Sequence, residues 1–193
     1  MVSLLDVVPT VLDWFNIKYP QYTMFHKKVT LTGRSLLPLT HSSVDNSSFN
    51  ITYASQSLHE ITMYYPMRVV RTPSYKLIQN VNYRMPFPID QDFYMSPTFK
   101  DMINRTASGV AIPWYKTLNT YYYRPQWELY DLTSDSMELR NLYHETRYSK
   151  VVTGLKKKLN IWQTMTADPW ICAPTGVLEN GECLPLYNDI SNV

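Results

Sequence analysis

The stretch that most constrains this chain is Trp127-Glu128-Leu129-Tyr130-Asp131-Leu132. It has the composition of a strand, with apolar groups at both odd and even positions. A strand apolar on both faces must lie between two layers. Thr133-Ser134-Asp135-Ser136 ends the run. Asp135 fits a helix N-cap and Glu138, three residues on, fits the acid of a capping box. The sequence therefore predicts a buried strand turning directly into a helix, with both acids serving the fold and not chemistry.

Other segments are placed around this corner. Leu4, Leu5, Val8, Val11, Leu12 and Phe15 recur at helical spacing and predict a helix over 3–15, either starting at Asp6 or kinked at Pro9. An apolar helix of this kind needs a surface to lie against, and nothing earlier in the sequence supplies one. Residues 16–50 read as loop, with an exposed polar insertion over 40–50. Strands are predicted over 50–55, 67–72 and 75–80, the last two forming an antiparallel hairpin about Pro73-Ser74. Ser96 and Pro97 open a short helix to Ala107 in cap and first-position roles. A final amphipathic helix covers 146–165: Tyr148, Val151, Val152, Leu155, Leu159 and Trp162 form its stripe, with Lys150, Lys156, Lys157 and Lys158 on the solvated face. The result is an α+β arrangement, a roughly four-stranded antiparallel sheet packed on a long C-terminal helix.

The net charge of +2, with scattered basic residues, argues against nucleic acid as a partner, and no apolar run approaches the length of a bilayer span. The 16 Tyr and 13 Pro against 5 Gly suit irregular, ring-packed loops laid over a sheet. Asn46, Asn50 and Asn104 head N-glycosylation acceptor triplets. The two cysteines, Cys172 and Cys183, enclose a turn-rich loop and read as a disulfide in an oxidising compartment. Both features indicate the secretory route, yet the first residues carry no basic segment and no cleavage site, so a signal peptide is expected upstream.

No complete catalytic constellation is legible. The four histidines lack zinc-site spacing, and there is no Gly-rich phosphate loop or Gly-x-Ser-x-Gly elbow. His59-Glu60, just after a predicted strand end, is the best polar candidate for a sugar pocket, either pair member contacting hydroxyls. Arg68 and Arg124 could grip sulfate or carboxylate through two N–H groups, with structural ion pairs an equal alternative.

Several blocks resemble the sulfatase family. Ser3-Leu4-Leu5-Asp6-Val7-Val8-Pro9-Thr10-Val11-Leu12-Asp13-Trp14 and Gly33-Arg34-Ser35-Leu36-Leu37-Pro38 are similar to a late helix and loop of sulfatases. Glu128-Leu129-Tyr130-Asp131-Leu132 with Asp135, Glu138 and Asn141-Leu142 is similar to the family's C-terminal signature. Met85-Pro86-Phe87-Pro88-Ile89-Asp90-Gln91-Asp92-Phe93-Tyr94, Tyr65-Pro66-Met67-Arg68, Ser96-Pro97-Thr98-Phe99, Asn104-Arg105-Thr106 and Asp168-Pro169-Trp170 narrow the resemblance to the branch acting on N-sulfated glucosamine.

That resemblance implies an alkaline-phosphatase-like α/β sulfatase fold, of which 1–45 would end the large domain and 46–193 form the smaller C-terminal antiparallel-sheet domain. It implies hydrolysis of the N-sulfate of terminal glucosamine in heparan sulfate-derived glycan, in the lysosome, and it allows a homodimer. It also implies a formylglycine nucleophile and a calcium site, both upstream, so no catalytic or metal residue is assigned within this chain. His59, Glu60 and Arg68 stand as substrate-pocket candidates. Cys172-Ala173-Pro174-Thr175-Gly176 imitates the formylglycine signature, but Gly176 stands where the family needs Arg. Two rival readings are a stand-alone module binding sulfated glycans and a fragment of a different sulfatase.

Overall fold

The computed structural model describes residues 1–24, 27–40, 49–58 and 63–186. These fall into two compact units, one of 1–53 with 71–73, the other of 54–70 with 74–193. Most of the polar run expected at 40–50 lies outside the described residues.

In the first unit a 3-10 turn, Leu4–Asp6, leads into α1, Val7–Trp14. The Ser3 hydroxyl accepts the Leu5 N–H while the Asp6 carboxylate accepts the Ser3 N–H, a reciprocal cap that fixes the start. Pro9 then falls in the first turn of α1, where its missing N–H costs no helical bond. Buried Asp6 also accepts the Arg34 N–H at 2.8 Å, and the Thr10 hydroxyl accepts the Leu36 N–H at 3.0 Å. Together they lash the 33–36 loop to the helix start. Short strands β1, Thr23–Met24, and β2, Lys27–Lys28, pair antiparallel. Most apolar side chains of α1 remain exposed, Val8 at 51% and Trp14 at 68%.

Four strands, which apart from Thr52, Tyr53 and Arg71 belong to the second unit, form one sheet: β3, Thr52–Leu58; β4, Tyr64–Arg71; β5, Tyr75–Asn80; and β6, Trp127–Asp131. They lie side by side in that order, with β5 and β6 antiparallel and Leu77 opposite Leu129. The hairpin about Pro73-Ser74 forms as expected. Between β5 and β6 come α2, Gln91–Met95; α3, Pro97–Ala107; and α4, Leu118–Tyr122. Asp90, Ser96 and Thr117 cap them, each accepting an N–H three residues on. Rings knit this segment together: Tyr65 meets Phe87 edge-on at 5.0 Å, and Phe87 meets Tyr121 at 5.6 Å.

α5, Ser149–Met165, follows β6 and contacts β5, burying Val152, Leu155 and Leu159. The predicted helix thus forms, its first turn being 3-10. One of its lysines departs from the amphipathic reading. The Lys156 ammonium lies 4.1 Å from the Trp127 ring centre and 4.9 Å from that of Tyr143, and donates to the Tyr143 hydroxyl at 2.6 Å. Its flexible stem carries the charge off the solvated face and onto the aromatic edge of the sheet.

The corner after β6 also differs from expectation. No helix forms over 132–145. The Asp135 carboxylate does accept two backbone N–H groups, but those of Leu139 and Arg140 in an open loop. Glu138 adopts φ 57°, incompatible with a helix, and its carboxylate binds the Lys76 ammonium at 2.7 and 2.9 Å. The reason lies in the sheet. β6 is an edge strand whose free backbone groups need partners. The Asn141 side chain accepts the Leu129 N–H and donates to the Trp127 carbonyl, and the Leu142 N–H donates to the Leu129 carbonyl. With 141 and 142 held against that edge, the segment stays non-helical, and the next helical turn begins at Thr146.

The chain closes with a hairpin of β7, Gly176–Glu179, and β8, Glu182–Pro185, turned through Asn180 and Gly181, both at positive φ. Cys172 and Cys183 are disulfide-bonded across it.

Candidate functional site

A cavity of about 200 Å³ is lined by Gln56 of β3, Met63, Phe87, Pro88, Ile89, Asp90 and Tyr121. Its wall is the Pro-punctuated run 86–90, whose fixed φ angles suit a rigid extended loop. The Phe87 N–H donates to the Tyr122 carbonyl at 2.7 Å, seating the run on α4. The Phe87 ring is held by Tyr65 and Tyr121 and carries the Arg124 guanidinium 3.7 Å from its centre. Asp90 spends one carboxylate oxygen on the Phe93 N–H. Burial pushes the Tyr121 hydroxyl pKa up, opposed in part by the charge of Arg124, so that group stays protonated and able to donate. The cavity thus offers one amide, one carboxylate and one phenol between ring walls. Such a set can hydrogen-bond a polar ligand, but it contains no nucleophile with an adjacent base.

Tyr121 also lines a second, mostly apolar cavity of about 310 Å³ with Phe93, Thr98, Phe99, Asp101, Met102, Pro113 and Trp114. Its carboxylate, Asp101, pairs with Arg105 one turn along α3 at 2.7 Å.

The candidates His59 and Glu60 lie outside the described residues. Gln56 before them and Met63 after them both reach the first cavity. Arg68 is described, and its role differs from substrate contact. It is 4% exposed and fully engaged within the protein. Its Nε and Nη2 form a fork with Asp168 at 2.6 and 2.7 Å, and its Nη1 donates to the carbonyls of Gln56 and Met67 at 3.0 and 2.9 Å. Burial alone would raise the Asp168 carboxyl pKa. Donors from Arg68, Gln163 and the Trp170 N–H, with the Arg68 charge, outweigh it and hold that carboxyl below its ordinary range. The structural ion pair is therefore the realised alternative for Arg68. Asp168, 100 residues away in sequence, gave no local signal of this partnership.

Arg124 is half-buried against Phe87 and Tyr121, its Nη1 is 3.7 Å from the Met67 sulfur, and its Nε has no protein acceptor. Glu128 is buried and accepts from the Asn80 amide and the Tyr130 hydroxyl. Burial, then that hydrogen bond, pushes the Tyr130 hydroxyl pKa strongly upward. Asn50 and Asn104 are exposed, while Asn46 lies outside the described residues.

The described residues do not fit a formylglycine or calcium centre. Cys172, the only cysteine in a formylglycine-like setting, is held in its disulfide. Among the described residues no group of three His, Cys, Asp or Glu side chains is placed to hold a metal.

Residues 89–165 match the family described as N-sulphoglucosamine sulphohydrolase, C-terminal. Over 193 residues the chain is 50% identical to N-sulphoglucosamine sulphohydrolase of Homo sapiens, covering 98% of this chain and 38% of that protein. It is 23% identical over 173 residues to an ulvan-active sulfatase of Formosa agariphila, covering 87% of this chain and 26% of the relative. The chain therefore spans well under half the length of these relatives. Among solved structures, a glycosaminoglycan 2-O-sulfatase superposes with a TM-score of 0.54 at 19% identity, over 86% of this chain and 25% of the other. A protein solved in complex with its substrate D-glucosamine-2-N,6-O-disulfate superposes with a TM-score of 0.51 at 20% identity, over 84% and 24%. The fold is that of the C-terminal part of an alkaline-phosphatase-like sulfatase.

Proposed function

We propose that this chain, a homologue of the C-terminal region of N-sulphoglucosamine sulphohydrolase, is the C-terminal portion of a sulfatase that hydrolyses the N-sulfate of terminal glucosamine in heparan sulfate-derived glycan. The observation that carries this reading is 50% identity maintained across 98% of the chain. Residues 1–45 belong to the end of a larger catalytic domain, in keeping with the exposed apolar residues of α1, and 46–193 form the smaller domain. The nucleophile and the calcium ion lie in the catalytic domain. This chain's own residues act in support: Gln56, Asp90 and Tyr121 offer hydrogen bonds to glycan hydroxyls, and the Phe87 ring shapes the wall. His59 and Glu60, which fall between Gln56 and Met63 in the sequence, contact the same hydroxyls. The enzyme is a lysosomal glycoprotein reached by the secretory route, carries glycans at Asn46, Asn50 and Asn104, and works as a homodimer.

The test is sulfate release from N-sulfated glucosamine by the complete enzyme containing this chain, beside the isolated chain. The complete enzyme should release sulfate and the isolated chain none. Release by the complete enzyme from O-sulfated glucosamine alone would replace this reading with that of another sulfatase. Retention of an inactive chain on heparin at moderate salt would favour the glycan-binding module.

A further inference from the structure

Two wall residues of the first cavity flank the connection from β3 to β4: Gln56 lies near the end of β3 and Met63 directly precedes β4. β3 is the edge strand of the sheet, so only β4 pairs with it there. An edge strand held on one side frays more readily than a central one. The short turn after α5 supplies what the sheet does not. Asp168 grips Arg68 with both carboxylate oxygens, and the same guanidinium donates through Nη1 to the Gln56 carbonyl at 3.0 Å. Two residues on, the Trp170 ring lies 5.1 Å from that of Tyr64, the neighbour of Met63 in sequence. The Trp170 N–H closes the turn by donating to Asp168 at 3.1 Å. Gln163, from the last turns of α5, adds a third donor to Asp168 at 3.0 Å.

We propose that the Asp168–Trp170 turn is a positioning element for the substrate pocket, holding Gln56 through Arg68 and Met63 through Tyr64. This rests on the reading that the cavity receives the terminal glucosamine. None of these turn residues lines the cavity. Each acts through its neighbour, which is why a planar, five-donor guanidinium is required at 68: a lysine cannot reach Asp168 and the Gln56 carbonyl together.

The experiment compares Arg68→Lys, Asp168→Asn, Trp170→Ala and Trp170→Phe in the complete enzyme, with N-sulfated glucosamine as substrate. The first three should raise KM at least fivefold while kcat stays within twofold, and Trp170→Phe should return KM to within twofold of the wild type. Backbone hydrogen exchange on the same proteins should show the amides of β3 accelerated at least tenfold more than those of β5 and β6 in Arg68→Lys and Asp168→Asn. If exchange in β3 rises no more than in β5, the turn does not hold the strand and the proposal falls. If β3 loosens but KM does not move, or if kcat falls at constant KM, the turn is structural and the proposal falls. If the wild-type enzyme releases no sulfate from N-sulfated glucosamine, the functional reading fails instead, and the exchange measurement alone decides whether the turn holds β3.

Discussion

Replacing Lys156 by Met should destabilise the second unit although the sequence places this residue among solvated lysines. Met keeps the length of the stem, so the change isolates the ammonium. That ammonium faces two rings, Trp127 at 4.1 Å and Tyr143 at 4.9 Å, which are nearly parallel at 10°. A cation over an aromatic face contributes about 0.5–1 kcal/mol when exposed and ~2 when desolvated, and Lys156 lies between these limits. The hydrogen bond to the Tyr143 hydroxyl involves a charged donor and contributes roughly 1.5 kcal/mol, part of it shared with the ring interaction. The expected loss is about 2 kcal/mol, a shift of roughly 4–8 °C in melting temperature for a chain of this length. Equilibrium urea unfolding followed by tryptophan fluorescence measures it. Lys156→Arg should retain most of the stability, because a guanidinium also stacks on rings. Pairing Lys156→Met with Trp127→Leu should give a coupling of about 1 kcal/mol. A loss below ~0.5 kcal/mol, the ordinary range for a surface substitution, would refute the placement of this charge. Strict additivity of the double mutant would refute the ring contact specifically.

Gly33→Ala should unfold or rearrange the first unit, since a Cβ there would lie 1.9 Å from the Leu5 carbonyl oxygen, backbone that cannot yield as a side chain does; the cost is about 3 kcal/mol or more, read as lost protection of α1 amides in hydrogen exchange. Ser96→Ala should lower stability by about 1 kcal/mol in urea unfolding, because the hydroxyl accepts the Phe99 N–H at the start of α3. The depressed Asp168 carboxyl contributes stability that is complete above its unfolded-state pKa and lost as pH falls through its lower folded value. Asp168→Asn should therefore cost about 3 kcal/mol near neutral pH, with wild type and variant converging only in strong acid, as measured by urea midpoints across pH. Equal losses at all pH values would show that the charge on Asp168 is not what the fold uses.

The four strands of the main sheet were legible in the sequence because each carries its own signal, whereas β1 and β2 fall in a stretch that reads as loop and β7 and β8 were not anticipated. Trp127–Asp131 is apolar on both faces and proves to be buried, and the Pro73-Ser74 punctuation does turn a hairpin. Ser96 with Pro97 likewise marks its helix start, because a cap and a first-turn proline act within four residues. The cysteine pair needed only proximity along the chain, and the turn residues between the cysteines supplied it.

What sequence reasoning missed, in the fold and at the candidate site alike, involved partners far apart in the chain. Asp135 and Glu138 have the spacing of a capping box, yet the free edge of β6 took Asn141 and Leu142 and left no helix to cap. Lys156 follows helical periodicity, yet its ammonium goes to rings supplied by β6 and the segment after it. Arg68 reads equally well as an anion ligand or an ion-pair partner, and only the return of the chain after α5 brings Asp168 to it. Local free energies of capping and turning are set by neighbouring residues, so the sequence alone determines them. Unpaired edges, buried charges and wall positions depend on what the rest of the chain brings alongside, and the tertiary structure alone decided those.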